Sequence, residues 1–277
     1  MTTVMSSSSE NAPKGPSSGG LRRPSLKAPG QAVDRCIGRL QALYRQDNSS
    51  AVAALARLRR GIGKAAHEAP ESWGNDGLEE LSTIRAEREG AGPAGAGDDA
   101  SAKYYSADER RWSVRREQAE ERAVFLAITL WALHQQSIRD ANMHGHDWGL
   151  GRSVRYLAQG PLTAASFEAA AVADTRLNEE LNEALRKRFV RIGTSTSFEM
   201  LGVRLREVVL LLRGARVPLD YARLADQLSD WQDPPRQAEV RRTWGRDFHL
   251  SSRRSTRDSS GTAGDKDGMD ALPDTGD

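Results

Sequence analysis

The run AVFLAITLWALHQQ, Ala123 to Gln136, carries apolar side chains around most of a helical circumference. At 100° per residue, Phe125, Leu126, Ile128, Leu130, Trp131 and Leu133 cover more than one face, as a helix enclosed on most sides requires. The segment before it, DERRWSVRREQAEER, is polar. The pattern therefore predicts one helix from Asp108 to about Arg139, wet at its start and the hub of a core at its end. The apolar run is too short to cross a bilayer, which takes about 20 residues.

Shorter helices are predicted on either side. Gln31 to Arg45 carries Val33, Ile37, Leu40, Leu43 and Tyr44, and Ser50 to Arg60 carries Val52, Leu55 and Leu58. Downstream, helical patterns cover Gly151 to Ala158, Ser166 to Arg191, Ser197 to Arg213, Leu219 to Trp231 and Pro235 to Phe248. In the last of these, Val240, Trp244 and Phe248 recur at i, i+4 and i+8 as an apolar stripe, while Arg242 and Arg246 fall opposite. Pro234 and Pro235 suit its first turn. No alternating run of β-branched residues is found, so the fold class is all-α, a helical bundle of about eight or nine helices.

The ordered region is expected over 31–249, with disordered tails at 1–30 and 250–277 and a flexible Gly-rich loop near 86–102. These stretches are Ser-, Gly- and Pro-rich or small and polar, and bury too little to offset ordering entropy. The first residues lack the apolar core of a signal peptide, and the single cysteine, Cys36, excludes an intramolecular disulfide and a Cys-based zinc site. A reducing cytoplasm is the expected compartment.

Net charge is only +2 over 277 residues, with pI near 8.8, so the local distribution of charge matters more than its sum. Of the 40 basic residues 34 are arginine, a bias that a GC-rich genome also produces. More informative are four basic clusters without acids in the same turn or two. They are Arg57, Arg59, Arg60 and Lys64; Arg152 and Arg155; Arg186, Lys187, Arg188 and Arg191; and Arg242 and Arg246 with Arg236 and Arg241 beside them. Cations at helix C-termini favourably meet the dipole, at ~0.3–1 kcal/mol each, and some of these residues answer to that or to intramolecular salt bridges. Segregated guanidinium groups equally suit phosphate, whose oxygens they grip bidentately with release of counterions.

No catalytic pattern competes with this. G-x-S-x-G, P-loop and dinucleotide fingerprints are lacking. His134, His144, His146 and Asp147 form the one cluster with metal-ligand chemistry, but their spacing matches no established zinc pattern, so no metal and no cofactor are expected. Asp220, Asp226, Asp230 and Asp233 read as the wet face of an amphipathic helix. Trp131, Trp231 and Trp244 lie on apolar stripes and read as core rather than as base-stacking platforms.

The ordered set of motifs FLAITLWALHQQ, MH, WGLGRSVRYLA and LRKRFVRIGTSTSFEMLGVRLREVVLLLRGARVPLDYARLADQLSDWQDPPRQAEVRRTWGRDF closely resembles the small subunit of type I-E CRISPR Cascade, the CasB family. The likeness runs from about Val52 to Phe248. It implies an all-helical subunit without enzymatic activity or small-molecule substrate, packed head to tail with a second copy and joined to the large and backbone subunits. Its basic surface would support the guide RNA–target DNA duplex and the displaced strand, while base pairing reads the sequence. By motif, the resemblance implies nucleic-acid contacts for Arg57, Arg59 and Arg60, for Arg152 of LGR, for Arg186 and Arg188 at the RF motif, for Arg204 of the LR helix, and for Arg236, Arg242 and Arg246 of the closing helix. Arg206 beside Glu207 and Arg246 beside Asp247 are the most exposed to a structural reading. The Gly-rich loop, the 166–185 helix and both tails exceed what a compact member would carry. A helical DNA-binding transcriptional regulator is the alternative, and would read one defined site through a recognition helix.

Overall fold

In the computed structural model, which describes residues 25–64, 76–90, 107–159 and 175–259, the core forms around the predicted hub helix. Nine helices occur among the described residues: α1 (Ala28–Arg45), α2 (Ser49–Arg60), α3 (Asp76–Gly90), α4 (Ala107–Gln135), α5 (Leu150–Gln159), α6 (Thr175–Gly193), α7 (Phe198–Gly214), α8 (Tyr221–Trp231) and α9 (Pro234–Ser259). The second half of α4 is enclosed by α1, α2, α3, α7 and α8, and Val124, Ile128, Leu130 and Trp131 are fully buried there. Its first half leaves this shelter, and Trp112 and Val114 are exposed.

The helix ends show why these segments start where they do. Asn48 caps α2 by accepting from the N–H groups of Ser50 (3.0 Å) and Ala51 (3.3 Å), Ser197 caps α7 at Met200 (3.1 Å), and Asp220 caps α8 at Arg223 (3.0 Å). No local side chain caps α1. Its first turn is served from α8, where the Asp226 carboxylate accepts from the N–H groups of Lys27 (2.9 Å) and Gly30 (2.7 Å). Asp230 then takes the Lys27 ammonium (2.6 Å) and the Arg236 guanidinium (2.9 Å), and Asp233 takes a second nitrogen of Arg236 (3.2 Å). The aspartates of α8 are thus fasteners, which corrects their reading as a wet face. Two helix ends and two cations, Lys27 and Arg236, lie within their reach, and the reach to Lys27 and to the start of α1 is a tertiary fact that spacing along one helix does not carry.

The connection from α4 to α5 is held by two buried glutamines. Gln135 donates to the carbonyl of Ala141 (2.9 Å) and accepts from the N–H of Met143 (3.0 Å), and Gln41 of α1 accepts from the N–H of His144 (2.9 Å). The same connection pairs with the strand-like entry to α8. Leu219 donates to Met143 (3.0 Å), Asp220 donates to Trp148 (2.8 Å), and the Ser153 hydroxyl donates to Pro218 (2.7 Å), around an isolated parallel bridge between His144 and Leu219. These bonds give backbone groups of the connection partners inside the protein, which is what a loop running through a core requires.

The apolar stripe of α9 behaves as its spacing predicts, with Val240, Trp244 and Phe248 buried against α5 and α8. Trp244 donates to the side-chain amide oxygen of Gln227 (2.7 Å), and Phe248 stacks on Phe189 of α6, ring centres 5.0 Å apart. Burial of each such side chain contributes about 1.5–3 kcal/mol. Gly151 permits the contact, since a Cβ there would lie 2.2 Å from the Trp244 carbonyl oxygen.

One helix, α3, has no counterpart in the sequence reading. Leu81 and Ile84 bury its narrow apolar edge against α1 and α4, and Arg85 reaches Glu120 (2.9 Å) and Glu121 (3.1 Å). It runs to Gly90, into the stretch read as the start of a loop, while α1 begins at Ala28 and α9 continues to Ser259. The rest of the expected tails and loop, and the first part of the helix expected from Ser166, lie outside the described residues. Among the described residues no helix is long and apolar enough to cross a membrane.

Candidate nucleic-acid interface

The ten arginines expected to meet nucleic acid divide by what already holds them. Arg57, Arg59 and Arg60 form the last turn of α2, packed on α1 and α4; Arg57 and Arg60 are exposed and Arg59 is half-buried. None of the three has an acidic partner among the described residues. Buried Leu55 and Leu58 and the contact of Gly61 with the Phe125 ring hold that turn in place, so its charges project from a fixed base.

A second group gathers where α5, α6 and α9 meet. Arg155 of α5 lies over the Phe248 ring (5.6 Å), and with Arg186 of α6 it lines a cleft of about 360 Å³ that His249 and Asn182 complete. Arg186 holds an exposed pair with Glu183 (3.2 Å), and Arg188 is exposed with no acidic partner among the described residues. Arg152 is committed locally, stacked over Trp148 (4.7 Å) and donating to the Asp147 carbonyl (3.1 Å).

On α9, Arg242 pairs with Glu239 (2.8 Å), an exposed pair worth ~0–1 kcal/mol and easily exchanged for another anion. Asp247, beside Arg246 in sequence, is taken by Arg223 of α8 (3.2 Å). Burial pushes its carboxyl above the usual carboxylate range and Arg223 opposes this. Arg246 is left exposed and without a carboxylate of its own among the described residues, contrary to the pairing that adjacency implies.

Arg204 and Arg206 exchange the places that sequence gives them. Arg204 is drawn in to donate to the Arg191 carbonyl and to the Ser195 hydroxyl (3.1 Å), where it ties the α6–α7 turn together. Arg206 is exposed and does not pair with Glu207. Arg236 is spent on Asp230 and Asp233 as described above.

The histidines are placed for structure. His134 is fully buried, its Nδ1 2.8 Å from the Tyr221 hydroxyl, and desolvation pushes its pKa down to about 3, so the ring is neutral. His144 and His146 come together with Asp34, a neighbour that spacing could not supply, at 3.2 and 3.6 Å from one carboxylate oxygen. The His144 Nδ1, however, accepts the Tyr221 N–H (3.2 Å). The proton of the neutral ring is therefore on Nε2 and aimed at Asp34, which removes the lone pair a metal ion would need. Asp147 lies in a turn at φ 65°.

A second cleft, of about 600 Å³, was missed by sequence reasoning. It lies between the start of α1, the end of α3, the exposed half of α4 and the α8–α9 junction, and exposed Trp112 lines it with Arg88, Arg115, Arg116 and Arg236. The signal was present in RRWSVRR, whose Trp112, Arg115 and Arg116 share one face at i, i+3 and i+4. What brings Arg88 alongside is α3.

Comparison with known proteins agrees with this architecture. The chain of the crystal structure of CasB from Thermobifida fusca is 35% identical, with a TM-score of 0.56 over 81% of this chain and 99% of that one. Looser likeness extends to a chain of a CRISPR RNA-guided surveillance complex (23% identity, 83% of this chain, 99% of that chain, TM-score 0.45). It extends also to M. ruber CasB (19% identity, 85% and 99%, TM-score 0.49). No curated protein matches the chain. The profile of the family described as CRISPR-associated protein Cse2 matches residues 54–249, and the chain therefore belongs to the Cse2 family, the CasB small subunits of type I-E Cascade.

Proposed function

We propose that this chain acts as a non-catalytic small subunit of a type I-E Cascade effector in antiviral defence, supporting the guide RNA–target DNA duplex and the displaced strand with a cationic surface. The observation that carries this is the set of exposed arginines without a carboxylate among the described residues, Arg57, Arg60, Arg188 and Arg246, fixed on helices whose other faces are buried. No ion pair holds any of the four among the described residues, although Arg57 and Arg60 meet the C-terminal end of the α2 dipole and Arg246 lies near Asp247. A phosphate backbone would use their charge, because each neutralised phosphate releases counterions and guanidinium offers two donors at once.

Arg59, Arg186 and Arg242 stand beside these four, the latter two with exposed glutamates that a phosphate can displace. Arg152, Arg204 and Arg236 act instead as positioning residues, each holding a turn or helix junction on which the outward arginines depend. Partners on this reading are the large and backbone subunits, a second copy of the chain, guide RNA and target DNA. The sequence of the target is read by base pairing, and its cleavage belongs to a separate nuclease.

The test is charge reversal of Arg242 and Arg246 together, and of Arg57 and Arg60 together, with affinity for duplex and single strand measured across a salt series. Each pair should weaken binding uniformly across sequences and flatten the salt dependence. Folded variants that bind as the parent does would refute the assignment. Recovery of the chain from its host with short repeat-derived RNAs and companion subunits tests the assembly itself. Preference of the isolated chain for one defined duplex would favour the regulator instead.

A further inference from the structure

We infer that Trp112 and the guanidinium groups around it form a stacking site for one unpaired nucleobase, separate from the arginines assigned above and resting on the nucleic-acid reading just proposed. The indole is 60% exposed, whereas Trp131, Trp231 and Trp244 are all buried. It stands on the half of α4 that leaves the core, so neither packing nor a hydrogen bond accounts for it. Its cleft of about 600 Å³ has the room of a small-molecule pocket.

The charges around the ring fall into two kinds. Arg116 is paired with Glu120 (3.1 Å), and Arg236 with Asp230 and Asp233. These pairs are internally neutral. Arg115, one turn along the same helix face, and Arg88, from the end of α3, line the same cleft and have no carboxylate among the described residues. An exposed aromatic ring that shares a cleft with two unspent guanidinium groups, the other charges being paired, matches a nucleotide of a single strand, with its base on the indole and its neighbouring phosphates on the cations. A base within a duplex is already stacked on both faces and cannot use the ring. The site therefore selects unpaired strand, which the phosphate-gripping arginines of α2, α6 and α9 do not.

The experiment uses the full chain with a short oligothymidylate and a duplex of equal length. Trp112→Ala, at an exposed position, should weaken single-strand binding roughly tenfold, the size of one lost stack, and leave duplex binding unchanged. Trp112→Phe should keep most of the affinity, and tryptophan fluorescence should be quenched by the single strand in the parent and not in Trp112→Ala. Unchanged single-strand affinity in Trp112→Ala, or an equal loss on both ligands, overturns the stacking site and leaves the proposed function standing. A parent that binds neither ligand overturns the proposed function itself. A Trp112→Ala protein that keeps single-strand binding but fails to assemble with companion subunits shows that the cleft receives protein, and overturns the inference as well.

Discussion

Replacing Gly151 with alanine adds one methyl group at the crossing of α5 and α9. The new Cβ would lie 2.2 Å from the Trp244 carbonyl oxygen, 2.5 Å from the Phe248 nitrogen and 3.0 Å from the Asp247 carbonyl carbon. All three atoms are backbone of a helix, so no side chain can swing aside, and ordinary contact needs the helices to part by about 1 Å. That movement would withdraw Trp244 and Phe248 from the surface they fill. Overpacking of this kind costs ~1–3 kcal/mol, against a return of up to ~1 kcal/mol because alanine favours helix over glycine. A net loss of about 2 kcal/mol is expected, seen as a fall in Tm of ~4–8 °C for a domain of this size. The assay is thermal and urea unfolding by circular dichroism, with Gly245→Ala as control. Gly245 lies on α9 near the same crossing and has nothing within 4 Å of its would-be Cβ, so that change should be neutral or stabilising by up to ~1 kcal/mol. A Gly151→Ala protein as stable as Gly245→Ala would refute the argument that space at this crossing requires glycine.

Three further outcomes follow from contacts described above. Because burial lowers His134 from 6.5 to about 3, the unfolded chain binds a proton there that the folded chain refuses. The stability this residue supports is complete above pH 6.5 and falls by about 1.4 kcal/mol per pH unit below it, so His134→Gln should show a shallower acid limb in urea titrations at several pH values. Arg85→Met leaves the buried Glu120 carboxylate with only Arg116, and should cost ~1–2 kcal/mol in chemical denaturation. Arg204→Ala should lower Tm, whereas Arg206→Glu should leave Tm within error, the reverse of what their sequence neighbours imply.

The parts legible in the sequence are those that depend on one helix at a time. Trp131 in a continuous apolar run, and the 240–244–248 stripe, announce their burial because a helix carries its own period. The family motifs are legible too, and the structure shows that many serve packing: Gln135 of ALHQQ holds the loop, Gly151 of LGR admits α9, and Asp220 of PLDY caps α8. What the sequence hides is pairing across distance. Arg246 and Asp247 are neighbours that do not pair, because Arg223 of another helix reaches Asp247 first. Arg204 and Arg206 differ by two positions, hence by more than half a turn of the helix, and only the α6–α7 turn decides which is drawn inward. Helix α3 escaped because Leu78, Leu81 and Ile84 make a narrow stripe amid polar residues, and its helicity owes more to α1 and α4 than to its own propensity.

The first turn of α1 depends on a carboxylate 199 positions further along the chain. A ribosome adding about 5–20 residues each second needs some 10–40 seconds to travel that interval. Throughout it, the amide groups of Lys27 and Gly30 face water, and the apolar edge of α1 waits for the α8 surface that will cover it. The early helices of a nascent chain therefore emerge as an open set, and the bundle closes only when α8 is delivered. A chain that ended before Asp226 would leave the first turn of α1 without the carboxylate that serves it.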